Sequence, residues 1–192
     1  MSPEGPTITH VRGIMMVNSV DNLRSVGLYD EYERLMPKAH LEVVQQSVAM
    51  AWIPVATTVA HYLVSDRLPL MPEHLAAFGE RQARRVTETF LGITLRRARS
   101  LGVDAVKQTI REIGRLHERL YRGGGCSVID VGPKDIVLEL HGFPFAQART
   151  FKAAWTVYVQ AIAESFSKVA YVKLTRPREP HPHRVAIMAS WV

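Results

Sequence analysis

The feature that most constrains this chain of 192 residues is a change of period at Gly123-Gly124-Gly125. Ahead of the three glycines, apolar residues recur every three to four positions; behind them, they alternate. A helix buries one face at a period of 3.6 and a strand at a period of 2, so the two parts of the chain are built differently. The glycines have no following lysine and lead into a strand, which makes them a helix terminator and not a phosphate cradle. About residues 1–122 therefore read as helical, and about 123–192 as strand, strand, helix, strand, strand. That segregation gives an α+β fold, an N-terminal helical layer followed by a ββαββ antiparallel-sheet region, in preference to a doubly wound sheet.

Within the first part, the apolar run 13–17 reads as a strand or extended arm, and Val20, Leu23 and Val26 follow at helical spacing up to Gly27. Residues 37–66 read as two helices or one kinked at Pro54. Pro72 opens a helix reaching to about Ser100. Gly102 and Asp104 then stop one helix and cap the next, which spans 105–121. Beyond the glycines, 126–131 and 135–141 form a hairpin about a Gly-Pro-Lys-Asp turn. Residues 145–167 are helical, and strands at 169–175 and 184–192 flank a proline-rich loop. No long linker interrupts the chain, so 1–192 reads as one ligand-binding domain.

Composition narrows the function. Cys126 is the single cysteine, which excludes an intramolecular disulfide framework and a multi-cysteine metal cluster and points to a reducing compartment. With no apolar leader and no run of roughly 18 uncharged apolar residues, the expected location is cytoplasmic. The net charge of +6 is uneven: residues 1–80 carry 5 basic and 9 acidic groups (−4), 81–122 carry 11 and 4 (+7), and 123–192 carry 8 and 5 (+3). Arg111, Arg115, Arg119 and Arg122 make a ridge at spacings of four, four and three. A solvated face is its plain meaning and nucleic-acid docking through Arg111, Arg115 and Arg119 its sharper one, although aromatic interleaving and a helix-turn-helix pattern are missing.

No phosphate loop, dinucleotide fingerprint or nucleophile elbow is present, so no enzymatic constellation is recognisable. Cys126 opens an apolar strand and reads as structural. His181 and His183 sit two apart in the proline-rich loop, an exposed segment with metal capture as the alternative. His117 shares a stripe with Val106, Ile110, Ile113 and Leu120 and so points at the core. It is either a buried neutral imidazole with its own acceptor or an axial ligand for haem. Trp52, His61, Phe90, His117, Phe143 and Trp155 are the expected lining of a pocket between the helical layer and the sheet, with His117 as its metal ligand.

The order of elements and several strings resemble the haem nitric-oxide/oxygen-binding (H-NOX) fold. More broadly they resemble the superfamily that also includes vinyl-reductase-type sensor domains and TRAPP transport subunits. The opening GIMMVNSVDNLRSVGLYDEYERL is similar to the H-NOX start, and IGRLHERLYRGG, VIDVGPKDIVLELHG and FKAAWTVYVQAIAESF to its later helix, hairpin and helix. In H-NOX domains an L-x-x-L-H string on that helix supplies the proximal haem histidine, and His117 falls on it. The resemblance implies a non-catalytic cytoplasmic sensor for a hydrophobic small molecule, most specifically haem held by His117, acting through a homodimer or a signalling partner. It also implies an alternative, an interaction or assembly module like the TRAPP subunits with a vestigial pocket. The chain departs from H-NOX where that family holds the haem propionates with Tyr-x-Ser-x-Arg, since Leu140, Gly142 and Pro144 stand at the corresponding positions. Each lost charge-assisted bond is worth about 1.5–3 kcal/mol. A fuller likeness is to a large bacterial paralogous family, through VRG near the start, W-I-P to A-H-Y (Trp52 to Tyr62), F-L-G at Phe90, the GPK hairpin, and K-x-A-Y-V from Lys168.

Overall fold

In the computed structural model, which describes residues 6–88, 105–165 and 167–192, strands also occur in the helical part. An arm leads into β1 (His10–Arg12), followed by α1 (Gly13–Ser25), α2 (Tyr29–Leu35) and α3 (Lys38–Gln45). Next come β2 (Trp52–Pro54), α4 (Val55–Ser65) and α5 (Pro72–Glu88). After α6 (Ala105–Leu120) and β3 (Tyr121–Arg122) come β4 (Gly125–Gly132), β5 (Asp135–His141), α7 (Arg149–Glu164), β6 (Ala170–Thr175) and β7 (Arg184–Trp191). The strands form two antiparallel sheets, β2-β1-β3 and β4-β5-β7-β6. The class is α+β, and the larger sheet with α7 is the ββαββ region expected behind the glycines.

Local differences from the sequence expectation have local causes. Residues 13–17 are the start of α1; the strand lies one step earlier, at His10–Arg12, and its pairing partner β2 arrives some forty residues later. No short-range pattern reports such a partner. Pro54 neither kinks a helix nor sits inside one. It ends β2 on the edge of the small sheet, where its missing N–H costs nothing, and precedes α4 at φ −57 and ψ 141. The region 37–66 is therefore two helices separated by a strand. The helix from Pro72 is described to Glu88; its expected extension to Ser100, Phe90, and the Gly102/Asp104 stop and cap lie outside the described residues.

The arm ties the two sheets together. Ile8 N–H donates to the Gly142 carbonyl at 2.9 Å, Thr9 N–H to Arg122 at 2.8 Å, and Gly124 N–H to the Pro6 carbonyl at 2.6 Å. Gly124 and Gly142 have φ of +65 and +79, and a Cβ on Gly142 would lie 2.5 Å from the Pro6 oxygen. Glycine is required at both positions, for the backbone angle and for the space. Ile8 is carried into the main core beside Ile110, Leu140 and Phe143. A second core joins α1, α2 and α4 through Met16, Leu23, Tyr32 and Val64.

The helix α7 starts at Arg149, four residues later than its apolar period predicts, because its cap comes from elsewhere. Ala148 offers no side-chain acceptor. Instead the Asp66 carboxylate, just past the end of α4, accepts the N–H of Arg149 at 2.7 Å, the N–H of Thr150 at 2.8 Å and the Thr150 hydroxyl at 2.7 Å. A carboxylate at a helix N-terminus satisfies orphan donors and opposes the positive end of the helix dipole. Asp66→Ala is expected to lose about 2 kcal/mol and to lower Tm by about 4–8 °C in a thermal melt. Asp66→Asn, which keeps one acceptor, should recover part of that loss; an unchanged melt for the alanine variant would remove the cap from the account.

Candidate functional site

Two histidines on two helices stand in a run of aromatic rings. On α4 the buried face comprises Thr57, Thr58, His61, Val64 and Ser65, and His61 is 2% exposed. Its Nε2 lies 2.8 Å from the Ser19 hydroxyl of α1 and its Nδ1 2.9 Å from the Tyr32 hydroxyl of α2. A neutral imidazole has one donor and one acceptor, and each hydroxyl can supply the complementary role, so the ring is satisfied. Burial pushes its pKa down to about 4.

His117 occupies the α6 stripe that also buries Val106 and Ile110. Its ring centre is 5.0 Å from Tyr121, one turn along the chain, and 5.7 Å from Phe143 beyond the hairpin. Burial, and then the neighbouring His141, bring its pKa down to about 4. Unlike His61 it is not satisfied: Nε2 is buried with no hydrogen-bond partner among the described residues. An orphaned polar atom of this kind costs about 1–3 kcal/mol, and an iron atom is one partner that an imidazole nitrogen can take.

Between them the rings are continuous. Tyr62 stacks on Phe145 at 4.9 Å, Phe145 meets Phe143 edge-on at 5.6 Å, and Phe143 reaches His117. Phe151 of α7 touches Tyr62, Phe143 and Phe145 and leads on to Trp155 at 6.3 Å. His61, Phe143, Trp155 and His117 thus belong to one constellation. Tyr62, Tyr121, Phe145 and Phe151 complete it and were not among the expected pocket residues, although Tyr62 adjoins His61 on the same helix, Tyr121 lies four residues after His117 and Phe145 closes the Phe-Pro-Phe string. Trp52 does not join them. Strand alternation in β2 turns Ile53 inward, at 3% exposure, and sends Trp52 to the opposite face, against Arg12 and Arg122. Phe90 lies outside the described residues.

A cavity of ≈ 10 Å³ lies among Met15, Ser19, Thr58, His61, Tyr62 and Phe145, about the space one water needs. The Thr58 hydroxyl, buried and unpartnered among the described residues, supplies a polar atom on its wall. His117 is not on that wall.

The remaining candidates are placed as follows. Burial pushes the Cys126 thiol up to about 12, so it is protonated at neutral pH and is no nucleophile. In the loop, His181 Nδ1 accepts the His183 N–H at 3.1 Å, and no group of three or more metal-ligating side chains occurs among the described residues. Arg111 of the basic ridge is paired with Asp130, Arg119 is exposed, and the side chain of Arg115 lies outside the description. No helix among the described residues is long and apolar enough to cross a membrane.

No protein-family model and no curated protein matches the chain. Solved structures do. The Fe(II) unliganded H-NOX protein from K. algicida is similar at a TM-score of 0.65 with 10% identity, covering 94% of this chain and 96% of that one. An H-NOX mutant from T. tengcongensis is similar at 0.58 with 12% identity, over 94% and 97%. An oxygen-binding H-NOX domain related to soluble guanylate cyclases, in its oxygen complex, is similar at 0.58 with 12% identity, over 94% of both chains. At such identities the likeness establishes an H-NOX-like fold.

The residues meet haem unequally. The axial donor fits: a buried, neutral imidazole with an uncommitted Nε2. The seat does not fit as packed, since Tyr121 and Phe143 lie against that imidazole, and Leu140, Gly142 and Pro144 offer the propionates no charged side chain.

Both imidazoles are held neutral in the folded chain while the unfolded chain protonates them near the ordinary 6.5. Because the unfolded state then binds more protons, stability is full above pH 6.5 and declines as pH falls toward 4, by about 3 kcal/mol for His61 alone. Thermal melts across pH 7.5 to 4.5 should show this decline, and His61→Gln should make it shallower. An identical slope in the variant would exclude His61 as a contributor.

Proposed function

We propose that the chain is a non-catalytic sensor or regulatory domain that takes a hydrophobic small molecule into its ring-lined interior, with residues 1–192 acting as one unit in the cytoplasm. The observation that carries this reading is the Nε2 of a buried, neutral His117, unpartnered among the described residues, beside the ring run in a fold shared with solved H-NOX proteins. Its most specific form is haem with His117 as proximal ligand. Bound haem would supply an iron site for a small gas. The chain's own residues would supply the axial nitrogen at His117, an apolar surround from Phe143, Phe145, Phe151 and Trp155, and the exclusion of water. For that form Tyr121 and Phe143 must move apart, and the propionates must find partners other than Leu140, Gly142 and Pro144. The output of such a domain passes through a protein partner or a second copy.

The small size of the cavity beside His61 favours a second reading, an interaction or assembly module whose interior is vestigial: among the described residues that cavity has space for about one water. Hemin titration separates the two. For the haem form, a Soret band develops in the purified protein, saturates at one equivalent, and in His117→Ala shifts or weakens at least tenfold in affinity. A protein that stays colourless, with a melt unmoved by hemin, rejects haem and leaves the vestigial-pocket reading standing.

A further inference from the structure

The outer face of the β2-β1-β3 sheet carries a constellation that the interior does not use. Residues directly opposite one another in antiparallel strands share a face. Arg12 lies opposite Trp52, and His10, two residues away on the same strand, lies opposite Arg122. The guanidinium carbon of Arg12 sits 4.1 Å from the centre of the Trp52 ring, and that of Arg122 4.5 Å from the same centre. One indole thus gathers two permanent positive charges within about 10 Å of each other, inside the Debye length at 0.1 M salt.

Arg12 is also held in place by backbone acceptors: it donates to the Met50 carbonyl at 2.8 Å and to the Arg119 carbonyl at 3.4 Å. Those bonds orient the fork without neutralising it. Arg24, Arg34, Lys107, Arg111 and Arg184 each have a carboxylate within ion-pair distance, whereas Lys134, Lys173 and Arg176 stand apart from any such group among the described residues. Among the described residues Arg12, Arg119 and Arg122 have none. Like charges brought together on a sheet and left without a counter-charge repel, and a guest anion removes that repulsion.

We propose that Arg12, Arg122 and Trp52 form a binding site for a phosphate group, carried by a phosphorylated small molecule or by a nucleic-acid backbone. Guanidinium forks match the oxygens of a phosphate in pairs, and a fork already stacked on an aromatic ring gives up less freedom on binding. The aromatic residue missing from the arginine ridge on α6 is present here. It was hidden because Arg12 and Trp52 come from outside the basic segment and meet Arg122 only through strand pairing.

Trp155 and Trp191 are buried, so changes in tryptophan emission on ligand addition report chiefly on Trp52. The full chain is titrated with inorganic phosphate and, separately, with an oligothymidine of about 20 nucleotides, at about 50 and 200 mM salt. Saturable quenching by either probe is expected, at least tenfold weaker in Arg122→Gln and within twofold of the parent in the control Arg111→Gln. The side chain of Arg122 makes no hydrogen bond among the described residues, so its replacement leaves the strand anchors intact, and a matching Tm verifies this. Arg12→Lys keeps the charge but not the stacked fork and should weaken binding as well. Phosphate binding equal to or tighter than the oligonucleotide per phosphate identifies a small-molecule source. Oligonucleotide binding that is at least a hundredfold tighter and falls steeply with salt identifies a nucleic-acid source. Absence of saturable binding to both probes, or binding in Arg122→Gln equal to that of the parent, overturns the proposal.

Discussion

The passage of the Pro6–Thr9 arm between the Gly123-Gly124 turn and Gly142 is the constraint on which the rest of the molecule depends. Three backbone bonds hold it there, and all three positions it passes, Gly123, Gly124 and Gly142, are left-handed with no space for a side chain. With the arm seated, β1 has β3 on one side and β2 on the other. The end of α6 is thereby pinned at Tyr121, and His117 one turn earlier is fixed against Phe143. The helical part and the larger sheet are two layers stitched by a thread; without it, nothing local brings the α4 rings to the α6 rings.

The interior so formed has an unusual balance. Rings fill it, and the two imidazoles among them are alike in burial and in depressed basicity but unlike in satisfaction. His61 closes a polar circuit with Ser19 and Tyr32 and fixes α4 against α1 and α2. Tyr121 and Phe143 lie against His117, and its Nε2 has no hydrogen-bond partner among the described residues. A structural histidine normally finds an acceptor. The contrast with His61 marks His117 as the buried imidazole with an unmet nitrogen among the described residues; the Thr58 and Ser65 hydroxyls share that lack of a partner.

The α+β segregation, the hairpin, α6 and the strands after α7 were legible because each rests on a periodicity within a dozen residues. His117 was legible for the same reason, standing on the stripe of Ile110. What escaped is what depends on distant pairing. The three short strands of the small sheet come from residues near 11, 53 and 121, and each is too brief to show alternation. Trp52 looked like core because aromatic residues often are; its true face is set by Ile53, the neighbour that won the inward position. The start of α7 was misplaced because its cap lies 83 positions away.

That distant cap makes Asp66 a mechanical latch as well as an electrostatic one. The same carboxylate that follows the last turn of α4 holds both the first backbone donors of α7 and the hydroxyl of Thr150, while the Arg149 guanidinium reaches back to the Asp66 carbonyl. Displacement of α4, the helix that carries His61 and Tyr62, therefore cannot be absorbed in a slack loop. It pulls directly on the first turn of the helix that backs the larger sheet, so a disturbance among the rings is delivered to the far layer as lost hydrogen bonds at a single point.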